Sequence, residues 1–290
     1  MPKRSSTARG REFGDGLRKA IAKAGFTSRA LAEILGWDEA KLSDLINGKG
    51  GTSLVELGVL LGICRVSPAE RDHLLSLFPV AHIRDWLQHH GPDGFDPQRT
   101  FVENLTTAET LVSWELHKLP ILLRTQAYVR AELAASGRVP AGELEASVKA
   151  RLEMQQELRR RSLKCVFYIH EVALRLPVGG HDAHVEQVHH VLRMAVRLNI
   201  VIRVVPTALG AHVGMSGSFT QLTSEKYEPL VCVNLENSTL FVEDKAAVQG
   251  YETVVRTLDQ ISLGEEESKA LIVALGEELS GEGPAPQMAS

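Results

Sequence analysis

Apolar residues in the first third of the chain recur at helical spacing, in short runs closed by polar caps and glycines. Phe13, Leu17, Ile21 and Ala24 share one face of a helix predicted over Phe13–Ala24. A second helix follows Thr27, with Leu31, Ala32 and Leu35 turned inward. Gly36 ends it, because glycine takes the left-handed conformation at no steric cost. Asp38 caps a third helix, with Leu42, Leu45 and Ile46 inward. Ser53 and Glu56 form a capping box ahead of Leu57, Leu60 and Leu61. A second box, Ser67 and Glu70 with Pro68 at the first helical position, opens a fifth helix running to about Phe78. The second and third helices, joined by a glycine turn, are the core of a helix-turn-helix.

Beyond Pro79 the spacing is less regular. A short helix is predicted at Ile83–Gln88, then a loop, HHGPDGFDP. Phe101, Leu105, Ala108, Leu111 and Val112 predict a helix reaching about Leu116. Leu119-Pro120 breaks it, Thr125 starts another, and a third runs from Gly142 to about Arg161. From Leu163 the period shifts: LKCVFYI reads as a buried strand. A helix over Asp182–Leu198 follows, with Val185, Val188, Leu192 and Val196 inward, and IVIRVVP is a second strand. Strand, helix and strand form a right-handed parallel unit. SFTQLT, LVCVNL and TLFVED are three short antiparallel strands, and two helices close the chain. The predicted fold is α+β and multidomain: an N-terminal all-α five-helix domain, then a small mixed β-sheet packed by helices. The expected boundaries are a flexible basic arm at 1–11, the helix-turn-helix domain at 12–79, a connector at 80–99, the α+β domain at 100–279 and a disordered tail at 280–290.

Composition refines this picture. Of 290 residues, 44% are hydrophobic and 23% charged, an ordinary globular balance with room for about two domains. The net charge is −4, unevenly spread: residues 1–78 carry 12 Lys and Arg against 9 Asp and Glu. A mildly basic head on an acidic body suits a nucleic-acid module with a regulatory domain. Cys64, Cys165 and Cys232 sit apart in apolar runs, as buried thiols in a reducing compartment. The N-terminus lacks an apolar signal core and no apolar run reaches the length of a membrane span, so the expectation is a cytoplasmic protein with no membrane partner.

Thr27, Leu31, Ala32, Leu35, Gly36, Leu42, Leu45 and Gly48, in five short helices, resemble the XRE-family, lambda-repressor-like DNA-binding domain. The resemblance implies that Ser28 touches DNA and that Glu39, Ala40 and Lys41, with Asp44 a turn later, enter the major groove. Arg29, Ser43, Asn47 and Lys49 are then candidate phosphate contacts. Arg9 and Arg11, with Lys3 and Arg4, make an arm that can lie along phosphates or in a minor groove, or simply solubilise the terminus. The recognition helix is unusual in surrounding Lys41 with Asp38, Glu39 and Asp44. Carboxylates accept from cytosine N4 but repel phosphates, so this helix reads C-rich edges, or its acids are a solvated face.

The body offers further chemistry. His170 and Glu171 close a strand, where functional groups gather in α/β sheets; Glu236 and Asp244 lie near other strand ends. Such carboxylates can bind a divalent metal, but Glu171 reads more readily as an acceptor of backbone N–H groups that fixes the next loop. His181 and His184 share a helix face without a third ligand, and His89 and His90 do not face one another, so no metal site is expected. GAHVGMSG has the glycines of a phosphate cradle without its lysine, and reads as a loop over a pocket or interface. Arg159, Arg160 and Arg161 suit the negative end of a helix.

LPILLRTQAYVRAEL, HEVALRLPVGG, RVVP with GAHVGMSGSF, NLEN and GEEESKALI occur in the order seen in the C-terminal domain of WhiJ-type, Scr-like antitoxin-related actinobacterial regulators, which they resemble. Ile121, Arg124 and Asn234 depart from that pattern. The resemblance implies a transcriptional regulator in development or secondary metabolism, controlled by a small co-encoded protein or a ligand. His170, Glu171, Arg175, His212 and Glu236 are the candidate ligand or partner residues. The expectation is a sequence-specific regulator, not an enzyme, without cofactor, binding double-stranded DNA as a homodimer. The alternatives are a protein-interaction adaptor whose helix-turn-helix no longer binds DNA specifically, and a metal-dependent hydrolase.

Overall fold

Local caps set the head. In the computed structural model, which describes residues 6–89, 99–137, 139–160 and 162–281, Thr7 accepts the N–H of Gly10 and starts α1, Ala8–Lys23. Thr27 caps α2 (Ser28–Leu35), Gly36 ends it at φ 66°, and Asp38 caps α3 (Glu39–Ile46). The Ser53–Glu56 capping box opens α4 (Leu54–Ile63). Ser67 precedes α5 (Pro68–Leu77) but its side chain makes no capping bond, and the Glu70 carboxylate expected to complete the box accepts from Arg99 at 2.9 Å instead. Phe13, Leu17, Leu31, Leu42, Leu45, Leu57 and Leu60 form one buried core, as their spacing predicted, and Leu74 of α5 joins it.

The first correction concerns the arm. Residues 1–5 lie outside the described residues, but from Ala8 the chain is helical, five residues earlier than predicted. Ala8 is buried in the core of the body, not of the head. The second concerns the connector. In place of a helix at Ile83–Gln88 stands β1, Trp86–His89, paired antiparallel with β7 (Ser238–Val242). The HHGPDGFDP loop beyond His89 lies outside the described residues.

The body is a seven-stranded mixed sheet in the order β1-β7-β6-β5-β2-β3-β4. The helix predicted to reach Leu116 stops early: α6 spans Arg99–Thr107, and Thr110–Glu115 is β2. TLVSWE carries the β-branched and aromatic residues that fit a pleated surface. β2 pairs parallel with β3 (Lys164–His170) and antiparallel with β5 (Phe219–Thr223), so it joins the two halves of the sheet. Thr125 caps α7 (Gln126–Ser136), and α8 (Leu144–Met154) is shorter than predicted. Arg160 does not serve its own helix; it donates to the carbonyls of Leu105, Thr106 and Ala108 at the negative end of α6. α9 (Glu171–Arg175) and α10 (His181–Ala195) lead to β4 (Ile200–Val205), parallel to β3. α10 ends before Val196, which is 74% exposed instead of inward. β6 (Leu230–Asn234) completes the antiparallel half. α11 (Lys245–Ile261) covers one sheet face over Trp114, Tyr168 and Phe219. α6, α10 and α12 (Glu265–Ser280) cover the other over Leu111, Phe167 and Ile202. The tail from residue 282 lies outside the described residues. All three cysteines are buried and free.

Candidate nucleic-acid interface

α1 holds the interface from behind. Its Gly10 and Gly14 lie one turn apart against the end of α3. A Cβ on Gly14 would sit 2.4 Å from the carbonyl oxygen of Ile46, and one on Gly48 would sit 2.2 Å from that of Gly10. Gly48 also has φ 71°, which favours glycine. Arg18 donates to Ile46 O at 2.6 Å, satisfying a terminal carbonyl of α3. The recognition helix is thus fixed at its C-terminal end by backbone contact with α1.

The other side of α1 is fixed to the body. Ala8 N–H donates to Glu243 Oε1 at 2.8 Å, and the Ala8 carbonyl accepts from Asn104 at 3.2 Å. Arg11 donates to Asn104 Oδ1 at 3.1 Å and to the Glu228 carbonyl at 2.9 Å, and lies over Tyr227. Arg9 lies over Trp86, 3.8 Å from the ring centroid. Glu12 accepts from Thr100 at 2.5 Å and meets His73 at 2.9 Å. Arg9 and Arg11, expected on a DNA-contacting arm, are 3% and 6% exposed. Burial lowers both guanidinium pKa values, offset in part by Glu243. Burial likewise pushes the Glu243 carboxyl up, against Arg11. Further along, Lys19 bridges Asp15 and Glu103, each at 2.7 Å; burial and then Asp15 push Glu103 up. Charge alone suggested phosphate; burial assigns these arginines to the seam.

The opposite face, α2–turn–α3, is open. Ser28, Arg29, Glu39, Ala40, Ser43 and Asp44 are exposed, and Lys41, Asn47 and Lys49 half-buried. The expected contact residues therefore do share one surface, apart from Arg9 and Arg11. Each cation there already has a carboxylate: Arg29–Glu39 at 3.7 Å, Lys49–Asp44 at 3.4 Å, and Lys41–Glu56. Lys41 also lies 4.4 Å from the Trp37 ring centroid. The hydrogen bond from Lys41, then the Ser53 N–H, hold the Glu56 carboxyl down at about 2. Asn47 donates to the Ser43 carbonyl at 2.7 Å. Exposed pairs of this kind are worth about 0–1 kcal/mol, so a phosphate can displace the carboxylates. Trp37 and Glu56 were not singled out in the sequence; Glu56 was read only as a capping residue, which it also is.

At the carboxyl edge of the parallel strands, His170 and His212 stack with centroids 5.6 Å apart, and both meet the edge of Trp114. Each Nδ1 accepts a backbone N–H, from Val172 and Gly214 respectively, which puts the neutral ring's proton on Nε2. Burial lowers both imidazole pKa values, helped at His170 by His212. Glu171 accepts the Thr207 N–H at 2.9 Å and pairs with Arg175 at 2.8 Å, which also meets Glu278. Glu171 is thus an acceptor of a backbone N–H, as the sequence suggested, but the loop it holds is the one after β4 and not the next one. The GAHVGMSG loop lies on Trp114: Trp114 Nε1 donates to Gly214 O at 2.8 Å, and a Cβ on Gly214 would strike the indole at 2.7 Å. Glu236 stands on the same edge in the β6–β7 turn, three strands away, about 14 Å by strand spacing. Asp244 caps α11.

On the other sheet face, burial pushes the Glu115 carboxyl up to about 7, against Arg124. Arg124 is itself buried, bonded to Leu119 O and Glu132 at 2.7 Å each. An acid closing TLVSWE was the available signal, hidden by the helical reading of that stretch. Among the described residues no cluster of three or more His, Cys, Asp or Glu could hold a metal, and no helix is long and apolar enough to cross a membrane.

A family model described as "Domain of unknown function (DUF5753)" matches residues 98–273, and one described as "Helix-turn-helix domain" matches residues 12–74. No curated protein and no solved structure matches the chain. The helix-turn-helix match supports a DNA-binding regulator.

Proposed function

We propose, for a chain that belongs to the DUF5753 family and carries a helix-turn-helix head, the role of a sequence-specific, non-enzymatic transcriptional regulator of the XRE kind. Its α+β domain, WhiJ-type and antitoxin-like in this reading, receives a small co-encoded protein or a ligand, and the chain acts in the cytoplasm as a homodimer on double-stranded DNA. The observation that carries the proposal is the open α2–α3 face, braced from behind by α1. Two such faces related by a two-fold axis suit a roughly palindromic site.

A mobility-shift titration on the DNA upstream of its own coding region tests this. Binding is expected to weaken steeply with salt. Lys41→Ala and Arg29→Ala are each expected to lower the salt slope by about one. Retention that ignores both substitutions sinks the contact model. The pairing of Arg29, Lys41 and Lys49 with neighbouring carboxylates favours a second reading, a protein adaptor. Failure to retain genomic DNA even at low salt, with a small protein co-purifying, would select it.

A further inference from the structure

A cleft of about 610 Å³ opens between the head and the stretch that follows α5. Sites for small molecules measure roughly 300–1,000 Å³. Three segments far apart in sequence wall it: the start of α1, the loop Gly48–Thr52 leaving α3, and the stretch Phe78–Arg84 after α5. The half-buried Phe78 gives it an apolar wall, with the buried Phe13 ring behind it, centroids 5.8 Å apart. Its charged and titratable lining residues are Lys49, His82 and Arg84, with no carboxylate among the described lining residues. That is notable in a chain of net charge −4. Carboxylates stand outside the lining: Asp44 meets Lys49 at 3.4 Å, and Glu243 lies within electrostatic reach of Arg84. The cleft is braced before anything enters, since the Thr7 hydroxyl donates to the Ala81 carbonyl across it. Gly50 and Gly51, at φ 75° and 108°, leave the loop backbone open on its lip.

We propose that this cleft binds an amphipathic small-molecule anion, an aromatic or alkyl group bearing one carboxylate, sulfonate or phosphate. The apolar part lies on Phe78, and the anion sits between Lys49 and Arg84. DNA phosphate shares the anionic chemistry but has no apolar body for the phenylalanine wall. The wall Gly48–Thr52 continues directly from the recognition helix and is pinned to Gly10. Occupancy is therefore felt at α3, and Lys49 is drawn from Asp44 to the ligand. The binding step stands without DNA; only this coupling rests on the regulator reading.

The probe is 8-anilinonaphthalene-1-sulfonate, titrated by fluorescence into the full chain without DNA. One saturable site per chain is expected, at least tenfold weaker in Lys49→Glu and in Arg84→Gln and restored in Lys49→Arg. Unchanged thermal melting of the variants shows that folding is not the cause. Absence of saturation, or equal affinity in all four proteins, would overturn the proposal. So would an effect of Lys49 and Arg84 on DNA binding with none on the sulfonate. Normal sulfonate binding with no DNA retention would leave the site standing and remove the regulator reading alone.

Discussion

The start of α1 and the face of α3 carry similar side chains in opposite circumstances. Arg9 and Arg11 are buried, each held over an aromatic ring of the seam. Arg29, 84% exposed, and the half-buried Lys41 and Lys49 meet carboxylates at the surface. A cation taken out of water needs its partners permanently; one left in water can exchange them. The first set therefore builds a fixed joint, and the second remains available to a ligand with more negative charge. α1 connects them, one side against the body and the other against the end of α3.

The most damaging way to break this arrangement is Gly14→Val. Its side chain would enter the Ile46 carbonyl, and whole-chain urea unfolding is expected to show a loss of about 3 kcal/mol or more. Next comes the direct contrast of arginines. Arg11→Ala is expected to cost about 3 kcal/mol, because Asn104 Oδ1 and the Glu228 carbonyl lose their donor and the buried Glu243 loses a nearby positive charge. Arg29→Ala should stay within about 0.5 kcal/mol in the same assay. Equal effects would erase the distinction between seam and surface.

Carboxylates extend the contrast to pH. Glu115 has its pKa raised by burial from 4.5 to about 7, so between those values the native state holds the extra proton. Its contribution is fully present below pH 4.5 and is lost as pH rises through about 7. Glu115→Gln is expected to flatten this fall, by on the order of 2 kcal/mol between roughly pH 5 and 8. Glu56 has the opposite sign: lowered to about 2, it stabilises above its ordinary value and loses that as pH falls. Glu56→Gln should therefore alter only the acid limb, and only slightly, since this carboxylate faces water. Melting temperatures across pH separate the two.

What could be read in the sequence was what local residues decide. Thr27, Gly36 and Asp38 act on their own neighbours, so the helix-turn-helix was legible to its caps. So was the parallel unit from Lys164 to Val205, with its change of period. Strands β1 and β2 were not. Trp86–His89 is only four residues long and is a strand because β7 lies beside it. Leu111 and Val112 continue a helical spacing from Phe101, yet β3 and β5 claim them from both sides. Arg9 and Arg11 read as an arm because charge is visible in sequence and burial against Trp86 and Glu228 is not. For the same reason Lys41 could be placed on the reading face, but its partner Glu56, in another helix, could not. The cleft beside Lys49 is assembled from three separate segments, and no one of them signals it.

Amide hydrogen exchange on the full chain, with and without its upstream DNA, tests the central contrast in one experiment. Amides of residues 11–14 are expected to be protected in the free protein, because this part of α1 is already locked between body and recognition helix. Amides of α2 and α3 are expected to gain protection only when DNA is added. Residues 11–14 exchanging freely until DNA arrives would contradict the account, and would return Arg9 and Arg11 to the role of a DNA-binding arm.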